Sequence, residues 1–82
     1  MLEEIKLALR IKTNVFDDEL NILMSAGLKD LELSCGTLDI NNILVKRAVM
    51  TYTKANFGIP SNYDKLKASY DEQKAQLKSA SR

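Results

Sequence analysis

Histidine and tryptophan are absent from this chain of 82 residues, cysteine and proline occur once each, and glycine occurs three times. Without histidine the usual general base and metal ligand is missing. Cys35 has no second cysteine to pair with, so no intrachain disulfide forms, and a structural zinc site lacks its ligand set. One lone thiol suits a reducing compartment. Gly27, Gly36 and Gly58 have the spacing of neither a dinucleotide loop nor a Walker loop. No apolar run approaches the ~20 residues needed to cross a bilayer. The opening Met1-Leu2-Glu3-Glu4 is acidic where a secretion signal is basic. These absences lead us to expect a soluble protein made in a cytoplasm, with no cofactor, no metal, no membrane contact and no enzymatic activity.

What is present is ordinary for a folded globule: 45% hydrophobic and 28% charged residues. The length fits a single domain over residues 1–82. A core of this size rarely supplies more than ~3–5 kcal/mol, and oligomerisation is one common supplement. The charges are sorted along the chain. Residues 1–45 carry eight acids and four bases, whereas residues 46–82 carry eight bases and three acids, for a net charge of only +1. A molecule with unlike halves can stack head to tail on copies of itself, and such a heterologous contact closes into a ring or runs on as a filament.

Apolar spacing predicts an all-α bundle of four helices. Leu2, Ile5 and Leu9, with Ala8, mark a first helix ending near Arg10 or Ile11. Asn14 and Asp17 are candidate N-caps of a second. Its stripe of Leu20, Leu23, Met24, Gly27, Leu28 and Leu31 fits the amphipathic template, with Gly27 implying close approach of another helix. Gly36 is a suitable left-handed stop. Asp39 is the candidate cap of a long third helix running to about Phe57, with Leu38 and Ile43 as a hydrophobic staple. Its apolar groups cover more than one stripe, so it should be central. After Gly58-Ile59-Pro60, Ser61 and Asp64 resemble a capping box for a fourth helix over residues 62–82. The stripe Tyr63, Leu66, Tyr70 and Leu77 is thin there. Such a helix would bury little against its own domain and could lie on a neighbouring subunit, with Ser79–Arg82 fraying.

Few residues carry chemistry. Asp17, Asp18 and Glu19 point in different directions around a helix, so they complement the helix dipole rather than converge on an ion. Cys35 falls at a helix C-terminus, where the dipole disfavours the thiolate. Lys46, Arg47 and Lys54 put positive charge on the third helix, and Lys65, Lys67, Lys74, Lys78 and Arg82 continue it on the fourth. They read as a solvated face, a contact with the acidic half of a neighbour, or a contact with phosphates. Tyr63 and Tyr70 are candidate interface anchors. A helix-turn-helix around Met24–Glu32 is disfavoured, because the apolar stripe runs through Gly27 without a phase shift.

The segment Leu2-Glu3-Glu4-Ile5-Lys6-Leu7-Ala8-Leu9-Arg10-Ile11, the acidic helix start Asp17-Asp18-Glu19-Leu20, the series Leu23, Ala26, Leu31 and Gly36, and the Ala48, Tyr52 and Phe57 cluster together resemble the tailed-phage head–tail connector family, or DNA-packaging adaptors. The resemblance covers roughly residues 2–58. Lys54 and Asn56 stand where many members carry an arginine. It implies a structural virion protein of a phage or prophage, made in the bacterial host cytoplasm and placed at the head–tail junction. Copies would form a ring, dodecameric on the portal, that meets the portal protein and the tail-completion protein around a channel. DNA would pass through without sequence-specific binding. Within that reading the subunit interface draws on Asp17, Asp18, Glu19, Lys46, Arg47, Lys54, Tyr63 and Tyr70. Two other readings stand beside it: a small helical DNA-binding regulator using Lys46, Arg47 and the basic last helix, and a helical protein-interaction module with no phage role.

Overall fold

Four helices follow one another in the computed structural model: α1 (Leu2–Leu9), α2 (Asp17–Cys35), α3 (Ile43–Asn56) and α4 (Tyr63–Ala80). Residues 1–58 and 60–80 are described, the side chain of Ala80 aside, and no strand occurs among them. The α3 helix is central: it packs on α2, on α4 and on α1. The core gathers Ile5 from α1, Leu20, Met24 and Leu31 from α2, Val45, Ala48 and Val49 from α3, and Tyr70 and Leu77 from α4.

The buried face of α2 is Leu20, Met24, Gly27 and Leu31, the stripe that its period requires. At Gly27 a side chain of α3 presses on α2. A Cβ built there would stand 2.9 Å from Tyr52 Cδ1 and 3.1 Å from Tyr52 Cγ, so only glycine leaves room for the ring. The same ring meets Tyr70 edge-on, with centroids 5.4 Å apart. Helices α2, α3 and α4 therefore share one register through Tyr52. The helix stops at Gly36 as expected, with its N–H bonded to the Glu32 carbonyl at 2.9 Å, but the glycine takes φ 84° and ψ −168° rather than the left-handed helical conformation.

Two boundaries differ from the sequence reading. The third helix begins at Ile43, so Asp39 is not its cap. Asp39 instead closes a turn: its carboxylate accepts the Asn41 N–H at 2.9 Å and its carbonyl accepts the Asn42 N–H at 3.0 Å. Asn42 is the cap, accepting the Leu44 N–H at 2.9 Å. Ile43 is consequently 74% exposed, and no staple with Leu38 forms. The fourth helix begins at Tyr63, with the Leu66 N–H bonded to the Asn62 carbonyl at 3.0 Å rather than a Ser61 capping box. It continues through Ser79 and Ala80, while Ser81 and Arg82, the rest of the expected fray, lie outside the described residues.

The burial of α4 is the larger correction. It lies on α3 and α2 of its own chain, and buries Tyr70, Gln73 and Leu77 there. Counting only apolar residues hid Gln73, which fills the face between the other two. Its amide oxygen is buried without a hydrogen-bond partner among the described residues.

Two substitutions test this packing. Gly27→Ala gains helix propensity but forces the Tyr52 ring off its seat; overpacking should dominate, lowering Tm by about 4–8 °C. A raised Tm would mean that the helices are not in close contact there. Gln73→Leu removes an unsatisfied buried acceptor and should raise stability by about 1 kcal/mol in urea unfolding. A loss of stability would reveal a partner for the amide.

Candidate functional site

The residues singled out from the sequence fall into three places. The first is the start of α2. Phe16, not Asn14 or Asp17, occupies the N-cap position, with no side-chain cap. Asn14 and Asp17 are engaged elsewhere, because Lys6 of α1 reaches both: its Nζ donates to Asn14 Oδ1 at 2.7 Å and pairs with Asp17 Oδ1 at 2.9 Å. Lys6 is itself buried, so its charge requires these partners. Asp17 therefore serves the fold of its own chain. Asp18 and Glu19 are exposed and form no ion pair among the described residues. Beside them Val15 is 79% exposed and Ile22 68%. The Phe16 ring meets Phe57 edge-on at 5.4 Å, fixing this corner to the end of α3.

The second place is the outer face of α3. Ile43, Lys46, Arg47, Met50, Thr51 and Lys54 line a groove of about 370 Å³, closed on one side by Glu4 of α1. Helical periodicity puts these α3 positions on one side of the cylinder. Glu4 Oε1 pairs with Lys46 Nζ at 3.3 Å. The side chains of Arg47 and Lys54 have no ion-pair partner among the described residues. The three sequence-predicted cations are thus brought together, with one of them already matched.

The third place is a cleft of about 250 Å³ between α2, α3 and α4, walled by the rings of Tyr52, Tyr63 and Tyr70. Tyr63 is 43% exposed at this cleft, whereas Tyr70 is buried. The Tyr70 hydroxyl donates to Asp30 Oδ2 at 2.5 Å, and Lys74 Nζ donates to the same oxygen at 3.0 Å. Lys74 also lies over the Tyr70 ring, 5.5 Å from its centroid. The Tyr70 bond holds the Asp30 carboxyl below the usual range, against the opposing effect of burial and with help from Lys74. Burial, then the bond to Asp30, pushes the Tyr70 hydroxyl up. Both groups are held in their neutral-pH forms by one another, so the pair acts as a clamp between α2 and α4. Nearby, Lys67 faces Asp71 at 3.4 Å. The cleft is therefore balanced in charge. Asp30 was missed in the sequence because its partners are 40 and 44 residues away.

The three places have different standing. Lys6–Asp17, Glu4–Lys46 and Asp30–Lys74 are contacts within one chain, and two of them join the acidic half to the basic half. The sorted charge of the sequence is partly neutralised by folding. Among the described residues, the charges left outside these ion pairs include Asp18 and Glu19 at one corner and Arg47 and Lys54 along the groove, besides others such as Glu3, Arg10, Lys12, Lys29, Lys65 and Glu72. Among the described residues no group of three His, Cys, Asp or Glu side chains could hold a metal ion, and no helix is long and apolar enough to cross a membrane.

The clamp has a pH signature. Asp30, with its folded pKa lowered, stabilises above its unfolded value of about 3.9, and that contribution fades as pH falls through the folded value. Tyr70, with its folded pKa raised, stabilises below its unfolded value of about 10, and that contribution fades as pH rises beyond it. Tyr70→Phe should cost about 1 kcal/mol, since the Asp30 carboxylate is partly screened by solvent. Measured by urea unfolding, the difference from the parent should be flat from about pH 5 to 9 and shrink at both extremes. A pH-independent difference would rule out the clamp. Compared with protein-family models, with curated proteins and with solved structures, this chain matches none.

Proposed function

We propose that this chain is a non-enzymatic assembly subunit that joins copies of itself head to tail, as a head–tail connector of a tailed phage. The observation that carries the reading is the leftover charge. After the in-chain pairs are formed, uncompensated acids stand at the start of α2 and uncompensated cations along the outer face of α3. Unlike surfaces on one molecule favour a heterologous contact, which a ring requires. The likeness of residues 2–58 to the connector family supplies the phage setting. In that setting the ring sits beneath the portal, bridges it to the tail-completion protein, and surrounds passing DNA without reading its sequence. Asp17 and Tyr70 are left out of the interface, because Lys6 and Asp30 hold them within the monomer.

Electron microscopy of the chain mixed with a tailed-phage portal protein tests this reading. Rings added to the portal are the expected outcome. Bare portals, together with tight sequence-specific DNA binding of steep salt dependence, would replace it with the DNA-binding regulator.

A further inference from the structure

We infer that the α3 groove is the seat for the start of α2 of a second copy, a contact that rests on the head-to-tail reading above and names its two faces. The groove holds three cations, Lys46, Arg47 and Lys54, and one carboxylate, Glu4, which leaves two positive charges. The start of α2 holds three carboxylates, Asp17, Asp18 and Glu19, and one of them is matched by Lys6, which leaves two negative charges. The positive end of the α2 dipole offsets only about half a charge there.

The apolar groups match as well. Asp18 and Ile22 lie one turn apart on α2, with Val15 just ahead of the helix, so exposed apolar side chains flank the acids. In the groove Ile43, 74% exposed, stands one turn before Lys46 and Arg47, and Met50 lies between them and Lys54. An amphipathic helix end with acidic and aliphatic contacts fits a basic groove with an aliphatic floor, the helix-in-groove mode of recognition. Groove against groove repels, and tip against tip repels, so the contact cannot be a symmetric dimer. A phosphate backbone fits less well, because Glu4 lines the groove and no aliphatic floor is needed for phosphate.

Two silenced variants isolate the faces. One carries Asp18→Ser, Glu19→Ser and Ile22→Ser; the other carries Ile43→Ser, Arg47→Ser and Lys54→Ser. All six positions are exposed or half-buried, and circular dichroism checks that both variants fold. Each is isotope-labelled in turn for NMR and mixed with the unlabelled other at up to about 1 mM, where even weak contacts are populated. In the mixture the tip-silenced chain should shift only along residues 43–54, and the groove-silenced chain only along residues 15–22. Each variant alone should show no concentration-dependent shifts, and about 0.5 M salt should abolish those of the mixture. Absent shifts, shifts elsewhere, or groove shifts caused by a DNA duplex instead of the partner would overturn the inference. The two readings separate on the portal. Rings formed by either silenced variant alone would reject this docking while leaving the connector role. Intact docking with bare portals would do the reverse.

Discussion

The seat of the Tyr52 ring on Gly27 sets the arrangement of this molecule. It places this side chain of α3 on α2 where a Cβ would collide, and the same ring meets Tyr70 of α4. Once that register is fixed, Tyr70 and Lys74 fall opposite Asp30, and the α2–α4 clamp closes. With α2, α4 and α1 all laid against α3, one face of α3 has no helix to cover it. That face is the groove of Lys46, Arg47, Met50 and Lys54. The packing that satisfies the core thus also determines which surface is left open.

Charge follows the same division. The short α1 helix reaches both ways: Lys6 holds Asp17 at the start of α2, and Glu4 holds Lys46 on α3. These contacts are partly shielded, so they favour the native arrangement more than fully exposed pairs would. Asp18, Glu19, Arg47 and Lys54 contribute nothing comparable within the monomer. Their isolation gives the molecule complementary surfaces, although far smaller ones than the sorted sequence implied. The interface in the proposed assembly is accordingly a matter of a few residues at a helix end and a groove, not of two oppositely charged halves.

Much of the fold was legible in the sequence because its elements obey local rules. The stripe of α2, the room left at Gly27 and the stop at Gly36 follow from period and from glycine's conformational freedom. The start of α3 was not legible, since Asp39, Asn41 and Asn42 all compete for nearby N–H groups and composition does not say which closes a turn and which caps. Burial of α4 was obscured by Gln73, a polar residue in an apolar position. Burial of Lys6 ran against the usual exposure of lysine. At the candidate site, the grouping of Lys46, Arg47 and Lys54 was visible as helical spacing. The loss of Asp17 to Lys6, and the role of Asp30, depend on contacts between helices that no local pattern announces.

Sedimentation equilibrium of the unmodified chain at low and high ionic strength bears most directly on the claim that unlike surfaces drive self-association. Growth of the average mass beyond the dimer with concentration at low salt, toward a ring or filament, and collapse to monomer at about 0.5 M salt, are the behaviour expected of head-to-tail contact between screened charges. A mass that stops at the dimer, or that salt leaves unchanged, would contradict it.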